Sequence, residues 1–366
     1  MTTLEEIARA RLRNQRLIGE RFNNPADIVR WLSAVQSQDF SAAKWALGLR
    51  MNEENEAAID EAFNDGAILR THVLRPTWHF VMPQDIRWLL KLTGPRIIAG
   101  SESQYRRCGL DGPIFSHSNR ALERELQDGK ALTRTALTTA LKDANVQTNN
   151  LGYLLLLMRA ELDGLICSGP RRGKQFTYML LDERAPAIDR FNRDQALREL
   201  AARYFTSHGP ATPHDFSWWS GLTVGDARHA IEMLGTALER IDVGGRPYFA
   251  DPASGVSGDA SHSVLLLPIY DEAIIAYQDR SAFLRRLAAS KTPLPENIVF
   301  NHTILIDGQV VGIWKRSAST RSVTIEPTLF TDLTKSELRE IDDTIERHAA
   351  FFDLTLAAPD VESNDE

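Results

Sequence analysis

Two glutamines separated by one serine are the first residues in this chain whose type and spacing could do chemistry. Gln36 and Gln38 lie in SAVQSQDF, after apolar residues at helical spacing (Ile28, Leu32 and Val35). Amide groups accept and donate hydrogen bonds but do not titrate near neutral pH, so the pair could orient a bound molecule but could not act as a true base. Residues two apart on a helix point in roughly opposite directions, so both amides converge only where the helix ends. From the residues alone, a polar helix end is the simpler interpretation.

Other catalytic patterns in the sequence are weaker. Asp271 and Glu272 are adjacent in YDEAIIAYQDR, but neighbours on a strand face opposite sides, so an ion pair with Arg280 is at least as good an interpretation as an acid–base pair. The nine histidines include no HExxH pattern and no carboxylate–histidine cluster at ligand spacing, which predicts no metal site. The chain has no Walker loop, no GxGxxG and no GxSxG, and we predict no cofactor.

Basic side chains occur in three groups that could contact nucleic acid. The first group has i, i+4, i+7 spacing on the opening helix, where a solvated face is the usual explanation. The second lies in the glycine-rich stretch GPRRGKQ, and a thin cationic hairpin tip of this kind suits a nucleic-acid groove. The third lies in GIWKRSASTR and is less specific. The groups are Arg9, Arg13 and Arg16; Arg171, Arg172 and Lys174; and Lys315 with Arg316.

Composition limits the class of protein. The chain has 366 residues, of which 43% are hydrophobic and 25% charged, as is typical of a soluble globular protein with two to four modules. No apolar run approaches the roughly 20 residues of a membrane span, and the two cysteines show no metal or redox spacing, so we expect a cytoplasmic location. The net charge of −7 argues against a wholly basic nucleic-acid coat but allows local basic surfaces.

The elements that must position these residues repeat along the chain. Three times, a helix, a capped helix, a further helix and a strand–turn–strand follow one another, which predicts tandem winged helix-turn-helix units. A Gly-, Ser- and Asp-rich linker at 250–263 then precedes four predicted strands and a final capped helix. The predicted fold is α+β, mainly helical, with a C-terminal β-barrel-like module. The predicted domains are 1–115 with the glutamine pair, 116–187 with the basic hairpin, 188–250, and 262–358.

Four stretches in a fixed order resemble the winged-helix DNA glycosylases of the AlkZ and YcaQ type, which excise bulky alkylated bases and unhook interstrand crosslinks. The stretches are WLSAVQSQDFSAAKWALGLR, ILRTHVLRPTWHFVMPQD, GPRRGKQFTYMLLDER and LLLPIYDEAIIAYQDR. In that family a Gln-x-Gln motif is catalytic in one branch and Gln-x-Asp marks the other, so Gln36 and Gln38 match the first branch. The intervening residue is usually apolar in the family and is Ser37 here. The resemblance implies three winged helices and a β-barrel around a C-shaped DNA channel.

The resemblance implies a DNA repair glycosylase that hydrolyses the N-glycosidic bond of cationic N7- or N3-alkylated purines, could unhook interstrand crosslinks, and leaves abasic sites. A base that is already cationic departs without a general acid, while glutamine carbonyl oxygens hold water near C1′ and offer negative potential to the oxocarbenium-like sugar. No lysine adjoins QSQ, so the implied activity has no lyase step. A capping or turn role is the better interpretation for Asp39. Residues that could line the same cleft are Asp39, Thr71, His72, Arg75, Trp78 and His79.

A second function class fits the same pattern. Winged helices also serve DNA-binding regulators without catalysis, so the fold alone does not separate the two classes. A regulator usually binds a symmetric site as a dimer, whereas three different winged units in one chain provide a long DNA surface for a monomer. We favour a monomeric glycosylase acting on double-stranded DNA with alkylated bases or crosslinks, in the bacterial cytoplasm and associated with the nucleoid. A glycosylase that binds lesions without cutting them is a third alternative.

Overall fold

The computed structural model describes residues 2–187, 191–254, 262–288 and 298–357. Three winged-helix units precede a five-stranded sheet, so the predicted α+β class is confirmed. Helices begin where the sequence supplies capping groups: Thr3 with Glu6, and Thr334 with Glu337, form reciprocal capping boxes. Across the described ranges, no helix is both long and apolar enough to cross a lipid bilayer.

The first unit combines four helices with an antiparallel sheet. Its elements are α1 (Leu4–Asn14), α2 (Pro25–Leu32), β1 (Ala34–Gln36), α3 (Phe40–Gly48), α4 (Glu56–Asp65), β2 (Leu69–His72) and β3 (Trp78–Val81). The strand order is β1–β3–β2. The acidic helix α4 and the hairpin of β2 and β3 lie where the sequence predicts them, whereas β1 was not expected.

Gln36 is the last residue of strand β1 and Gln38 comes after it, so the pair does not lie at a helix end, contrary to the prediction. Helix α2 ends at Leu32 because Ser33 adopts a left-handed backbone conformation, with φ at +68°, that is incompatible with a further helical turn. Val35 and Gln36 then pair with β3, where Gln36 lies opposite His79. Helical spacing continues through Val35 by coincidence, because the strand forms by pairing with a wing that is distant in sequence.

The second and third units repeat the order of helices and hairpin. Helix α5 (Ile86–Arg107) follows the first hairpin within the predicted domain 1–115, and the predicted boundary at 115/116 falls inside α6 (Gly112–Leu126). After α6, the elements of the two units are β4 (Leu132–Thr133), α7 (Arg134–Asp143), α8 (Asn150–Leu162), β5 (Ile166–Ser168) and β6 (Thr177–Leu180), then α9 (Arg193–Ser207), α10 (Pro213–Ser220), α11 (Val224–Leu234), β7 (Glu239–Val243) and β8 (Arg246–Ala250). The second unit has three strands in the order β4–β6–β5, and the third has the pair β7 and β8.

The C-terminal module is a five-stranded sheet with one long helix. Its elements are β9 (Val264–Leu267), α12 (Glu272–Ile275), α13 (Arg285–Ala288), β10 (His302–Ile306), β11 (Gln309–Ala318), β12 (Ser322–Leu329), α14 (Lys335–Phe351) and β13 (Thr355–Leu356). The strand order is β13–β12–β11–β10–β9, and Asp307 with Gly308 forms the predicted tight turn. The predicted linker at 250–263 lies in part outside the described residues, as does the start of the predicted domain 188–250.

Helix α1 ties the first unit to the third unit and to the C-terminal module. Arg11 is fully buried, and its Nε donates to the carbonyl of Pro210 at 2.9 Å. The guanidinium lies 3.7 Å from the centre of the Tyr277 ring, and Nη2 is 3.5 Å from the carboxylate of Asp215. A buried charge is stable only with such partners, so Arg11 fixes these modules against one another.

The predicted basic face of the first helix is only partly present. Arg9 and Arg13 lie half-buried on α1, where burial and the charge of Arg9 lower the pKa of Arg13. Arg16 lies beyond the end of α1 with φ at +60°. Its guanidinium is 4.7 Å from the Trp31 ring, and Nη1 contacts Glu20 at 3.1 Å. Arg16 does not share the face of the other two because the helix ends before it.

Candidate active site

The Gln-Ser-Gln segment is held along its backbone by three different elements. The N–H of Gln36 donates to Oε1 of Glu272, on α12, at 2.7 Å. The N–H of Ser37 donates to the carbonyl of Trp78, on β3, at 2.8 Å. The carbonyl of Ser37 accepts from Nε and Nη2 of Arg70, on β2, at 3.1 and 3.0 Å. A segment with so many distant partners has one fixed orientation, which is what an oriented pair of amides requires.

The two glutamine side chains lie in different environments. Gln38 is exposed, and its Oε1 accepts from the N–H of Trp78 at 3.4 Å. Gln36 is only 6% exposed, and its buried Oε1 has no hydrogen-bond partner among the described residues. Asp39 caps α3, because its Oδ1 accepts from the N–H of Ala42 at 2.9 Å. The pair therefore offers one amide to the surface and one buried amide oxygen that is free to accept a hydrogen bond.

Buried polar atoms without partners share one face of the sheet with Gln36. His79 lies directly opposite Gln36, and Thr71 lies opposite His79 on the other neighbouring strand. Within the described chain, Thr71 Oγ1 and His79 Nε2 are buried and have no hydrogen-bond partner, as is also true of Nε and Nη2 of Arg75. Because nearly all buried polar groups in proteins are hydrogen-bonded, these groups together are candidates to bind water or another polar molecule.

His79 is neutral at physiological pH. Its Nδ1 lies 2.9 Å from the carbonyl of Thr77, which assigns the proton to Nδ1 and leaves Nε2 as an acceptor. Burial lowers the pKa of His79 to about 3; the charge of Arg75 also lowers it, and that of Glu272 raises it. His79 can therefore accept a hydrogen bond without carrying charge.

The opposite face of the same sheet carries paired groups. Glu161 of α8 is buried, contacts Nδ1 of His72 and accepts from Nε1 of Trp78 at 3.3 Å. The guanidinium of Arg70 lies 4.5 Å from the centres of both the Trp78 and Phe176 rings. Burial lowers the pKa of Arg70 to about 10, which leaves it cationic at neutral pH. His72 and Trp78 thus support the segment from the face opposite to Thr71 and His79, and the six predicted cleft residues do not form one lining.

Glu272 is a buried carboxylate in contact with the backbone N–H of Gln36, and its place beside the motif was missed from the sequence. The YDE stretch forms a turn and the short helix α12, not a strand. Asp271 pairs with Arg50 through two contacts of 2.8 and 2.9 Å, so the predicted ion pair with Arg280 is wrong for Asp271. The adjacent carboxylates were a visible signal, but Gln36 and Arg50, which they contact, are more than 200 residues away in the chain. The described residues hold no group of three or more His, Cys, Asp or Glu that could bind a metal ion.

The predicted basic hairpin places its cations in two environments. Gly173, with φ at +60°, forms the tip, where Arg172 and Lys174 are exposed. Arg171 instead packs on the first unit, with its guanidinium 4.9 Å from the Phe40 ring. Two of the three predicted residues are therefore available to a partner at the tip.

The third basic group is divided between two faces of β11. Lys315 is exposed and lies opposite Glu326 on β12. Arg316 is half-buried, 4.7 Å from the Phe352 ring, and lines a cavity of about 140 Å³ together with Asp39. Adjacent strand residues point to opposite faces, which separates the two cations.

The chain is similar to known DNA glycosylases over most of its length. A family model described as DNA glycosylase AlkZ-like matches residues 29–351. The interstrand DNA cross-link repair glycosylase of Streptomyces sahachiroi is 25% identical over 313 residues, which cover 79% of this chain and 81% of the relative. The solved structure of the Streptomyces sahachiroi DNA glycosylase AlkZ matches with a TM-score of 0.78 at 21% identity, covering 97% of this chain and 99% of that chain. Because the family model spans far more than half of the chain, this protein belongs to the AlkZ-like DNA glycosylase family.

Proposed function

We propose that this DNA glycosylase hydrolyses the N-glycosidic bond of purines alkylated at N7 or N3, with Gln36 and Gln38 as the groups that act on the reacting atoms. The observation that carries the proposal is the Gln-Ser-Gln backbone, held by Glu272, Trp78 and Arg70 while both amide oxygens keep acceptor capacity. Groups held in place before the reaction avoid the entropy loss of being oriented during it.

The chemistry needs no acid or base from the protein. An N7- or N3-alkylated purine is cationic, so the electrons of the glycosidic bond move to the base and neutralise it as it leaves. Positive charge develops on the sugar, water adds at C1′, and its proton passes to solvent. Amide oxygens supply partial negative charge and orient the water, but they do not take its proton.

The two glutamines have separate parts in this proposal. Gln38 is exposed and meets the DNA at the lesion. Gln36 Oε1, His79 Nε2 and Thr71 Oγ1 form a row of buried groups that can accept hydrogen bonds from water. Water bound there would be oriented by fixed groups rather than by bulk solvent.

Positive side chains on several elements would bind the DNA backbone. We propose phosphate contacts at the exposed hairpin tip, on β11 and on α1, with the modules at 1–115, 116–187, 188–250 and 262–358 surrounding a C-shaped channel. The protein would act as a monomer on double-stranded DNA in the bacterial cytoplasm, associated with the nucleoid. The proposed phosphate contacts are Arg172, Lys174, Lys315, Arg9 and Arg13.

Base release from a duplex with a single 7-methylguanine tests the proposal, read as strand cleavage after alkali. We expect release by the wild type, a loss of about 100-fold in Gln38→Ala and about 1000-fold in Gln36→Ala/Gln38→Ala, with unchanged melting temperature. Gln127→Ala, at the exposed end of α6, is the matched control and should retain full activity. Full activity in the double variant would remove both glutamines from the mechanism, and duplex binding without any base release by the wild type would contradict the function.

Interstrand crosslinks are the second substrate class that we propose. The similar Streptomyces sahachiroi protein is named for crosslink repair. An exposed Gln38 can reach a bulky lesion without extruding the base into a deep pocket, which would limit substrate size. A duplex joined by an N7–N7 crosslink should separate into single strands on a denaturing gel after treatment. Persistence of the crosslink alongside release of 7-methylguanine would restrict the substrates to monoadducts.

A further inference from the structure

Two adjacent buried carboxylates, Asp271 and Glu272, differ in how their charge is balanced. Both oxygens of Asp271 bind the guanidinium of Arg50, so its charge is neutralised in place. Glu272 has no Lys or Arg within ion-pair distance among the described residues; its ion-pair contact is His208, whose Nε2 is 3.7 Å away. The carboxylate of Glu272 is instead held by neutral donors.

The donors that hold Glu272 come from two other parts of the fold. Oε1 accepts from the backbone N–H of Gln36 at 2.7 Å, and Oε2 accepts from Nε1 of Trp219, on α10, at 3.0 Å. Glu272 is 0% exposed, so no solvent screens it. A carboxylate in this position bonds directly to the peptide group that carries Gln36.

The charges around Glu272 favour its ionised form. Burial raises the pKa of Glu272, but hydrogen bonding and charge interaction with His208, together with the Gln36 N–H, leave it below its ordinary value of 4.5. Burial lowers the pKa of His208, while hydrogen bonding and charge interaction with Glu272 act in the opposite direction. Arg75 and His79 lie within electrostatic range but form no ion pair with the carboxylate in the described structure. Glu272 therefore carries a negative charge that forms no ion pair with a Lys or Arg of the described residues.

We propose that Glu272 is the positioning residue of the Gln-Ser-Gln motif and the fixed negative charge that stabilises the cationic sugar of the transition state. This inference rests on the proposed function. Amide oxygens carry only partial charge, whereas a buried carboxylate one hydrogen bond behind Gln36 adds a full charge in a region of low dielectric. Most glycosidases place a carboxylate directly beside the sugar. Here the carboxylate of Glu272 would act through space, with the peptide group of Gln36 between it and the sugar.

Removing the charge while keeping the shape tests the positioning role. Glu272→Gln retains an acceptor for the Gln36 N–H, and we expect its single-turnover release of 7-methylguanine to fall about 30-fold with unchanged affinity for undamaged duplex. Glu272→Asp, which keeps the charge, should recover part of that loss. Asp271→Asn is the matched control: it should lower the melting temperature by disrupting the Arg50 pair, and leave the rate of the folded protein within about threefold.

Binding of two abasic-site analogues separates an electrostatic role from a merely structural one. A duplex with a cationic pyrrolidine resembles the charged sugar, and a duplex with a neutral tetrahydrofuran does not. We expect Glu272→Gln to lose about tenfold in affinity for the pyrrolidine duplex and to bind the tetrahydrofuran duplex as the wild type does. Equal losses for both duplexes, or no loss for either, would overturn this inference. Absence of base release by the wild type would instead overturn the proposed function.

Discussion

The polar groups on the two faces of the sheet β1–β3–β2 differ in their hydrogen bonding. On one face, His72 and Trp78 both contact the buried carboxylate of Glu161. On the other, Gln36 Oε1 and Thr71 Oγ1 are buried without hydrogen-bond partners in the described structure. Both faces belong to the same three short strands, so the difference does not arise from exposure of the sheet as a whole. A paired face stabilises the fold, and an open face retains groups for a bound molecule.

The backbone of the Gln-Ser-Gln segment is held by hydrogen bonds, although Gln36 Oε1 has no partner in the described structure. Arg70 and Trp78 hold the backbone of Ser37. The strand alternation that sends Arg70 to one face sends Thr71 to the other. The same local geometry therefore separates the groups that fix the segment from the groups that remain available.

Removal of Glu161 should have the largest effect, because it breaks the paired face. Glu161→Ala leaves the buried His72 and the partly buried Trp78 without their carboxylate partner, and we expect the free energy of unfolding to fall by about 3 kcal/mol. Urea unfolding measures this change. The exposed Glu123 of α6 is the control, for which Glu123→Ala should change stability by less than about 0.5 kcal/mol. A loss below about 1 kcal/mol for Glu161→Ala would mean that the paired face does not stabilise the fold.

Acid should weaken the fold through His79 on the open face. Its pKa is lowered from 6.5 to about 3 by burial, so between these values the unfolded chain binds a proton that the folded protein does not. Stability is therefore present above pH 6.5 and is lost as the pH falls, by up to about 2 kcal/mol at pH 5. Urea unfolding at pH 7 and pH 5 checks the sign and size.

The variant His79→Asn should make that pH dependence smaller but not remove it. Burial also lowers the pKa of His348, to about 3, so this residue continues to contribute a loss in acid. An identical difference between pH 7 and pH 5 in wild type and variant would show that His79 is not held neutral in the folded state.

Arg70 lies on the paired face and holds the carbonyl of Ser37. We expect its conservative replacement to have a moderate effect on base release. Arg70→Lys retains the charge but loses the two-nitrogen contact with the Ser37 carbonyl and the contact of the guanidinium with the Trp78 and Phe176 rings. We expect release of 7-methylguanine to slow about tenfold, with little change in duplex affinity. The exposed Arg106→Lys on α5 serves as the control and should be fully active. Equal rates for both variants would show that the Ser37 carbonyl needs no bidentate donor.

Thr71→Val should have the smallest effect on base release. It also distinguishes the two faces most clearly, because activity and stability should change in different ways. Replacing a buried hydroxyl that has no partner in the described chain should leave stability unchanged or raise it by about 1 kcal/mol. Because Thr71 lies on the open face, base release should still fall about threefold. Thr303→Val is the control, since Thr303 Oγ1 is also buried without a partner among the described residues but belongs to β10, in a different sheet from Thr71. If both variants keep full activity, the open face does not bind water for the reaction.

The sequence by itself determined the features that depend on near neighbours. Capping pairs such as Thr334 with Glu337 place helix ends, and the Asp307-Gly308 turn places a hairpin, because these signals act within a few residues. The sequence also shows the repeated pattern of winged units and the Gln-x-Gln motif. The hairpin that carries Thr71 and His79 lies where its β-forming residues and proline predict it.

Only the tertiary structure decided which groups meet at the motif. The strand β1 forms because it pairs with β3, and the helical spacing of the preceding residues does not predict a strand there. Glu272 contacts Gln36, which is 236 residues away in the sequence. Asp271 forms its ion pair with Arg50, which is 221 residues away. Local patterns report the hydrogen bonds that a short segment can make by itself, whereas the balance of buried charge depends on which distant segments fold against one another. For that reason the sequence predicts the candidate motif, but it could not predict the distribution of paired and open groups around that motif.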